Sequence, residues 1–444
     1  MTTTPPRTHS YRPSLIFAVG LCLSAAAAVW IDGARLGAIG SPSWRIGSAA
    51  AEPLPLRAPQ APGPADLADA RTAWSYFEAN TRPETGLVDS TAGYPSATMW
   101  DQGSYVLALV SARGLGLIDQ AAFAARADRV IESLGKLRLF EGKLPNKAYN
   151  TQTLDMVDYA NTPMPDGIGW SALDMGRLLL SLRVLERHSP GHGDAIRALI
   201  AKWDLSAMID DGTLAGATRS EGQTEILQEG RLGYEQYAAR AAAIWGLDVV
   251  SAISAAPVLD WDRVSGIDVP IDSRSHTVFR AITPTLSEPF ILQGIELGFD
   301  SESELLAAAV YRAQEARHDE TGIETMVSED HIDQAPWFLY SSVYSDGKDW
   351  AVLADTGEAF PDLRTVSLKA VFGWDAIYGT AYTRDLRKAL TPDLAQAGKG
   401  WFAGRYEATG KPNAVLTLNT NAVILEALYY AAHGPLWSPK ALTP

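Results

Sequence analysis

The sequence predicts an all-α fold of the α/α-toroid class, with short β-hairpin excursions. Apolar helices begin repeatedly just after loops rich in glycine, aspartate and tryptophan, and some are apolar on nearly every side, as in Ala422–Ala432. Such helices must be buried on more than one side. Amphipathic helices alternate with them along the chain. A ring of buried inner helices sheathed by outer helices satisfies both patterns.

Polar capping residues or aromatic loop ends mark the starts of five predicted inner helices. These helices begin at Asp101, Ser171, Tyr234, Thr365 and Asn419. Amphipathic stretches predict outer helices at Asp66–Asn80, Gln120–Leu137, Asp194–Trp203 and Glu302–Arg317. The stretch Val258–Phe299 departs from this pattern and predicts a long excursion with short strands. Short β-hairpins are expected around Leu137–Tyr149 and Trp401–Glu407.

The amino terminus carries an uncharged apolar stretch at residues 14–31. A spanning helix needs roughly 17 residues or more, whereas signal-peptide cores usually run about 7–15. We therefore expect residues 14–31 to be an inner-membrane anchor and residues 1–13 a cytoplasmic tail. Secretion after signal-peptide cleavage is the alternative. Prolines in residues 32–64 indicate a Pro/Ala-rich linker, and residues 65–444 would form a toroid domain in the periplasm.

Composition limits the classes of function. The 444 residues are 47% hydrophobic and carry a formal net charge of -15, a field that repels phosphate backbones. We therefore expect no nucleic acid partner. Cys22 is the single cysteine, which excludes an internal disulfide and a cysteine-based zinc site. No phosphate-binding loop, dinucleotide-binding turn, nucleophile elbow or H-E-x-x-H helix occurs, so we expect no metal and no cofactor.

Carboxylates and aromatic rings gather in the loops before the predicted inner helices. If these loops meet at one rim, they form an acidic cleft that suits a poly- or oligosaccharide, because sugar faces stack on rings and sugar hydroxyls need acceptors. Glycosidic bond cleavage uses a protonated acid and a base or nucleophile, commonly both carboxyl groups. The predicted catalytic residues are Asp166, Asp174 and Glu235. The predicted substrate-binding residues are Asp89, Asp101, Trp100, Trp170, Tyr234, Trp337 and Trp374.

Structural roles compete with these assignments. Asp101 stands at a helix start, where capping is the commoner role of an aspartate. Asp174 lies one turn inside an apolar helix, so it is either paired, with Arg177 for example, or functional. The helix dipole favours the charged form of Glu235, which opposes a general-acid role unless crowding or burial restores it. Single tryptophans are more often core residues than sugar platforms.

Several of these stretches resemble the bacterial domain-of-unknown-function 3131 family. They are Thr85–Asp89, Trp100-Asp101, Gly169–Asp174, Gly233–Glu235, Gly400–Gly404 and the helix that starts at Asn419. The resemblance covers roughly Asp66–Pro435. More remotely, the sequence is similar to glycoamylase-like (α/α)6 proteins, which include endo-β-1,2-glucanases, and their Ser-x-x-Asp helix start is comparable to Ser171–Asp174. The resemblance implies a six-hairpin (α/α)6 toroid and a carbohydrate-active protein outside the cytoplasm.

Our functional hypothesis is a periplasmic, membrane-tethered glycoside hydrolase that acts on a bacterial glucan or exopolysaccharide. Inversion is favoured, because a wide acidic rim leaves room for an attacking water. The rival hypothesis is a non-catalytic glycan-binding or scaffold module of an envelope polysaccharide system. A polysaccharide lyase is a third candidate, which the acidic field disfavours. Glycan linkage and oligomeric state are left open.

Overall fold

The computed structural model describes residues 54–274, 279 and 281–437. These residues belong to a compact unit that spans Gly47–Pro444. The predicted cytoplasmic tail, the apolar segment at 14–31 and most of the predicted linker lie outside the described residues. Within the described ranges, no helix combines the length and the apolar character that a membrane crossing requires.

Six helices of the described chain form a closed inner ring. They are α2 (Met99–Gly114), α4 (Ala172–His188), α6 (Tyr234–Ala243), α8 (Glu288–Leu292, continued by a π turn at Gln293–Leu297), α10 (Leu368–Ile377) and α12 (Leu418–His433). Each inner helix packs against the next one along the chain, and α12 packs against α2. Because the ring is closed, these helices are covered on nearly every side, as their apolar sequences require.

Six further helices of the described ranges lie outside this ring. They are α1 (Pro64–Asn80), α3 (Gln120–Leu134), α5 (Gly193–Ile200), α7 (Val250–Ile253), α9 (Ser301–Thr321) and α11 (Ala381–Leu394). The helix α1 packs against α12, and each of the others packs against the inner helix that precedes it. Inner and outer helices therefore alternate along the chain, which is the predicted α/α toroid.

The structure adds three helices that the sequence analysis missed. The inner helix α8 lies within Val258–Phe299, where only an excursion with strands was expected. Strands β9 (Leu259–Val264) and β10 (Ile267–Asp272) do form there, but the stretch closes with the fourth inner helix of the ring. The outer helix α7 is a single turn, too short to leave a periodic pattern. The outer helix α11 contains Pro392, a residue that normally ends a helical pattern.

Short antiparallel strands lie in the loops between helices. They are β1 (Ser96–Thr98), β2 (Leu139–Phe140), β3 (Leu144–Pro145), β4 (Ala148–Asn150), β5 (Met156–Val157), β6 (Ile209–Asp210), β7 (Thr213–Ser220), β8 (Gln223–Gln228), β9, β10, β11 (Glu329–His331), β12 (Phe338–Ser341), β13 (Tyr344–Ser345), β14 (Lys348–Asp349), β15 (Val352–Leu353), β16 (Thr365–Ser367), β17 (Ala395–Gln396), β18 (Gly400–Tyr406) and β19 (Pro412–Leu416). The pairs β2–β3 and β18–β19 correspond to the two expected hairpins. Strands β1, β16 and β19 lead directly into inner helices, so they help to position the beginnings of those helices.

Two glycines permit close approaches near the amino-terminal ends of the inner helices. A Cβ on Gly103 would lie 3.0 Å from the backbone nitrogen of Leu178, so glycine lets α2 and α4 pack closely. Gly169 has a φ of +120°, and a Cβ there would lie 1.9 Å from the carbonyl oxygen of Ala217. Only glycine lets the loop before α4 run against β7 in this conformation.

Candidate functional site

The amino-terminal ends of the inner helices meet at one end of the ring, and contacts join their first residues. The indole Nε1 of Trp100 donates to Asn419 Oδ1 at 3.3 Å, and Asn419 Nδ2 donates to Glu288 Oε1 at 2.8 Å. Glu288 forms an ion pair with Lys369. The rings of Trp100 and Tyr234 meet edge to face, with their centroids 5.5 Å apart. The helices α2, α6, α8, α10 and α12 thus converge, as the sequence analysis required.

The helix α4 brings Asp174 to this region together with Glu229, which follows β8. Ser171 caps α4: its Oγ accepts from the Asp174 backbone N–H and donates to Asp174 Oδ1, both at 3.1 Å. Glu229 accepts a short hydrogen bond from the backbone N–H of Ala172. Burial, and then the negative charge of Glu229, raise the pKa of Asp174 to about 7. Burial also raises the pKa of Glu229. The pair therefore retains a proton close to neutral pH.

A second carboxyl group of the same kind is Glu329, the first residue of β11. The hydroxyl of Tyr234 donates to Glu329 Oε1 at 2.6 Å. Burial, and then the charge of Glu288, raise the pKa of Glu329 to about 8, although the Lys369 ammonium opposes the shift. Glu329 is partly exposed, so a proton held there is accessible to a bound molecule.

Two phenol rings connect the two carboxyl groups. Tyr340 pairs with Glu329 across the β11–β12 register and lies within electrostatic range of both Glu329 and Asp174. Tyr159 is 64% exposed and lies within electrostatic range of Asp174 and Glu229. Both carboxyl groups therefore lie in the same region, at the amino-terminal ends of the inner helices. We call it the acidic cleft, and its partly or fully exposed lining residues are Trp100, Tyr159, Asp174, Glu229, Tyr234, Glu329 and Tyr340.

The predicted catalytic set is only partly brought together. Glu235 is 3% exposed, and both of its carboxylate oxygens are bound: Oε2 by Arg274 at 2.7 Å and Oε1 by Gln228 at 2.9 Å. Burial raises the pKa of Glu235 and Arg274 opposes the rise. Asp166 is exposed, and its side chain has no hydrogen bond or ion pair with the described residues. Asp174 is thus the predicted catalytic carboxylate that the structure places in the acidic cleft.

The two predicted binding aspartates have structural partners. Asp89 is 1% exposed, accepts from Arg82 Nε at 2.9 Å and accepts from the Thr151 hydroxyl at 2.6 Å. Asp101 accepts from the backbone N–H of Thr98 at 2.9 Å, which is the capping role considered for it. Burial raises the pKa of both aspartates, against these hydrogen bonds. Both carboxylates therefore have structural partners within the protein.

The predicted sugar platforms divide into three groups. Trp100 and Tyr234 line the acidic cleft. Trp170 and Trp374 are 1% and 0% exposed, so their faces are covered by core atoms and the platform assignment is corrected for both. Their indole N–H groups are bound internally, by Ala215 and Ser287. Trp337 is 63% exposed in the loop that joins β11 to β12, directly before Phe338.

A buried ion network lies one turn below the cleft, in the centre of the ring. Arg177 is 0% exposed and binds Glu296 Oε1 at 3.0 Å and Glu426 Oε1 at 3.2 Å. Its guanidinium carbon lies 4.6 Å from the Trp100 ring centroid. Burial, and then the charge of Glu296, raise the pKa of Glu426 well above its usual range. Because Arg177 is bound to these two glutamates, it is not the partner of Asp174.

Sequence reasoning missed Glu329, Glu229 and Lys369 as members of the site. Glu329 and Glu229 stand in acidic loops that were recognised, but on or beside strands rather than at helix starts. Lys369 is the second residue of α10 and is 3% exposed. A lysine at the start of an apolar helix was the available signal. No group of three or more His, Cys, Asp or Glu side chains in the described ranges could hold a metal ion.

The sequence matches a known family over most of its length. A profile of the family described as "Protein of unknown function (DUF3131)" matches residues 68–434. The chain therefore belongs to this family, as the sequence resemblance indicated. No curated protein matches the chain.

Solved structures share the fold at low sequence identity. A candidate glucoamylase from Bacteroides caccae is 12% identical with a TM-score of 0.59, over 84% of this chain and 94% of that chain. An endo-β-1,2-glucanase from Chitinophaga pinensis, in complex with sophorotriose and glucose, is 11% identical with a TM-score of 0.59, over 84% and 93%. An endo-β-1,2-glucanase from Talaromyces funiculosus, in complex with sophorose, is 13% identical with a TM-score of 0.57, over 84% and 84%. The chain thus has the fold of the glucoamylase-like (α/α)6 proteins.

Proposed function

We propose that this member of the DUF3131 family is a glycoside hydrolase that cleaves a neutral bacterial glucan, with Glu329 as the general acid and Asp174 as the general base. One observation carries the proposal: two carboxyl groups with pKa values of about 8 and about 7 border the same cleft, among exposed phenol and indole rings. Carbohydrate hydrolysis needs such a pair, one member protonated and the other not.

Glu329 is suited to be the acid. With a pKa of about 8 it still holds its proton at neutral pH and can give it to the glycosidic oxygen that departs. The carboxylate formed in this step keeps its hydrogen bond from Tyr234 and lies near the Lys369 ammonium. Both interactions stabilise the negative charge that develops on Glu329 as the bond breaks.

Asp174 is suited to be the base. Its pKa of about 7 means that a substantial fraction is ionised at neutral pH and that the ionised form takes up a proton readily. In the proposed step, Asp174 accepts one proton from a water as the water oxygen bonds to the anomeric carbon. The neighbouring charge of Glu229 favours this proton uptake. The products are an inverted hemiacetal and a free sugar hydroxyl.

A glucan is proposed as substrate for two reasons. The structural neighbours include endo-β-1,2-glucanases that bind sophorose or sophorotriose. The formal net charge of -15 and the acidic cleft disfavour an anionic polymer such as a uronate-containing polysaccharide.

We further propose that the protein works in the periplasm, anchored to the inner membrane by residues 14–31. The part of the linker that the structure describes supports the view that the linker does not obstruct the cleft. The backbone N–H of Arg57 donates to the carbonyl of Ile377, and that of Gln60 donates to the carbonyl of Ala431. Both acceptors lie at the carboxyl ends of inner helices, whereas the cleft lies at their amino ends. The chain therefore enters the toroid on the face opposite the cleft.

The test is hydrolysis by the purified full-length protein in detergent. β-1,2-, β-1,3-, β-1,4- and β-1,6-glucans are the substrates, and newly formed reducing ends are measured. We expect cleavage of one of them, and a loss of about 100-fold or more in each of Asp174→Asn and Glu329→Gln. Glu235→Gln is the matched control, since it removes a buried carboxylate outside the cleft. Activity that survives both cleft substitutions would refute the acid/base assignment, and no cleavage by the wild type would favour a non-catalytic glycan-binding module.

A further inference from the structure

One face of the β11–β12 hairpin carries a row of aromatic rings, and Glu329 lies on the same face at one end of that row. The antiparallel register places Glu329 opposite Tyr340 and His331 opposite Phe338. Residues two apart along a strand point to the same side, so these four side chains share one face. The rings of Phe338 and Tyr340 are 5.2 Å apart, and those of His331 and Phe338 are 5.0 Å apart. All four side chains are partly exposed, so the row is accessible from solvent.

Trp337 is the last residue of the loop that joins β11 to β12, and its side chain lies in water. Its indole is 63% exposed, and its backbone has a φ of 77°, which is unusual for a bulky residue. Both backbone groups of Trp337 are bound: its N–H donates to Gln334 at 2.8 Å, and its carbonyl accepts from Ile332 at 3.0 Å. A bulky apolar residue held in water in this way loses the free energy that burial would supply.

The loop below Trp337 is anchored to a neighbouring hairpin. Asp333 Oδ1 accepts from the Tyr406 hydroxyl at 2.6 Å, and Asp333 Oδ2 accepts from the Ala414 backbone N–H at 3.0 Å. The backbone N–H of Asp333 donates to Asn413 Oδ1 at 3.1 Å, and Asn413 is 0% exposed. The indole is thus presented by a fixed loop, which limits the entropy that would be lost when it binds a partner.

The chemistry of this row suits an uncharged ligand with flat apolar faces. Burial, and then the charge of Lys369, lower the pKa of His331 to about 4, so its imidazole is neutral at neutral pH. The other rings of the row are the phenol of Tyr340 and the phenyl of Phe338, whose centroids lie 5.2 Å apart along β12. The exposed indole of Trp337 belongs to the loop residue directly before Phe338. These rings together can contact more than one sugar unit.

We propose that Tyr340, His331, Phe338 and Trp337, which we call the aromatic track, extend the acidic cleft and bind a neutral glycan chain beyond the bond that is cleaved. The proposal rests on the proposed glycoside hydrolase function and adds to it the class of substrate: a chain of several sugars rather than a disaccharide. The affinity of the protein for a glucan should therefore rise with chain length.

Binding of oligosaccharides of graded length, taken from whichever of the β-1,2-, β-1,3-, β-1,4- and β-1,6-glucans the wild type cleaves, tests the track. The full-length protein with Asp174→Asn is used, so that bound chains are not cleaved, and dissociation constants are measured by calorimetry. We expect affinity to increase from the disaccharide to long chains. Adding Trp337→Ala should weaken long-chain binding about two- to tenfold and reduce the ratio of long-chain to disaccharide affinity. Val250→Ala is the control, because Val250 is 72% exposed on the outer helix α7.

The outcomes separate the track from the proposed function. The aromatic track is overturned if Trp337→Ala leaves the ratio of long-chain to disaccharide affinity unchanged, or if the affinity of the parent protein does not rise with chain length. In either case, hydrolysis by the wild type would still support the proposed glycoside hydrolase function. If the protein neither binds nor cleaves any of the four glucans, the proposed function and the track are both refuted. Phe338→Leu is a second variant, which retains apolar volume but removes a ring of the row. It should also reduce the ratio, and thermal melting checks that each variant is folded.

Discussion

Carboxyl groups lie at two depths of the same helical ring, and their surroundings differ. In the centre, Glu296 and Glu426 are 0% exposed and share Arg177. One turn nearer the amino-terminal rim, Asp174 and Glu329 are partly exposed, and neither forms an ion pair with an arginine of the described chain. A carboxyl group that leaves water must either gain a cation or keep its proton. In the centre, Arg177 supplies a cation, while burial and the charge of Glu296 still raise the pKa of Glu426. At the cleft no arginine is paired with Asp174 or Glu329, and both side chains are partly exposed, so a proton held there is open to a bound molecule.

The largest expected effect is on catalysis at the cleft. Asp174→Asn and Glu329→Gln each remove a group that transfers a proton in the proposed mechanism, so the turnover number on the cleaved glucan should fall about 100- to 10,000-fold. Because each new side chain is neutral and of similar size, the melting temperature should not fall. Steady-state kinetics and thermal melting check both parts. If a variant loses activity only in proportion to its loss of folded protein, the distinction between a catalytic cleft and a structural centre is contradicted.

The next largest effect is on stability at the centre. Arg177→Met leaves two buried glutamates without their cation, and the free energy of unfolding should fall by about 3–5 kcal/mol. Denaturant unfolding followed by circular dichroism measures the change. Replacing the carboxylates as well, in Arg177→Met with Glu296→Gln and Glu426→Gln, should recover most of the loss. A single variant as stable as the wild type would show that the network is not structural.

The pH dependence of stability should differ between wild type and a cleft variant. A carboxyl group with a raised pKa in the folded state contributes stability below its unfolded pKa of about 4, and this is lost as pH rises through the folded pKa. The folded values are about 7 for Asp174 and about 8 for Glu329. The double variant Asp174→Asn with Glu329→Gln should therefore gain stability relative to the wild type as pH rises from about 4 to 8. If the melting temperatures of the wild type and the double variant change with pH in the same way across this range, the pKa shifts are contradicted.

The smallest effect is expected at Asp166. This exposed side chain has no bonded partner in the described ranges, so Asp166→Asn should change the free energy of unfolding by less than about 0.5 kcal/mol. Its turnover number should match that of the wild type, because the proposed proton transfers use Asp174 and Glu329. Kinetics on the same glucan decide this. If Asp166→Asn loses as much activity as Asp174→Asn, Asp166 belongs to the catalytic set and the residues assigned to the cleft must be revised.

Much of the fold was predictable because its signals are local. An inner helix that is apolar on all sides and begins after a polar loop shows both features within about fifteen residues, and the five predicted inner helices are present. The helices that the sequence analysis missed also have local explanations. The sixth inner helix, α8, is short and follows a strand-rich stretch, and α11 has Pro392 within it. These sequences resemble other elements when they are read without their neighbours.

The site was predictable only where a local conflict was visible. Asp174 stands inside an apolar helix, which signals an unusual environment. Glu329 lies in the sequence Glu-Asp-His-Ile-Asp, which has the composition of a solvated turn. Glu235 shares the helix-start pattern, yet Arg274, far along the chain, binds it at 2.7 Å. Sequence patterns show which element carries a carboxylate, but the cation or second carboxylate that decides its pKa comes from elsewhere in the chain.

The sequence alone therefore determined the alternation of buried and half-buried helices and the acidic character of the loops. These properties depend on the composition and periodicity of short stretches. Only the tertiary structure decided which carboxyl groups keep a proton, because burial and the distance to Arg177, Arg274 or Lys369 depend on how the ring closes. The same closure covers Trp170 and Trp374 and leaves Trp337 in water.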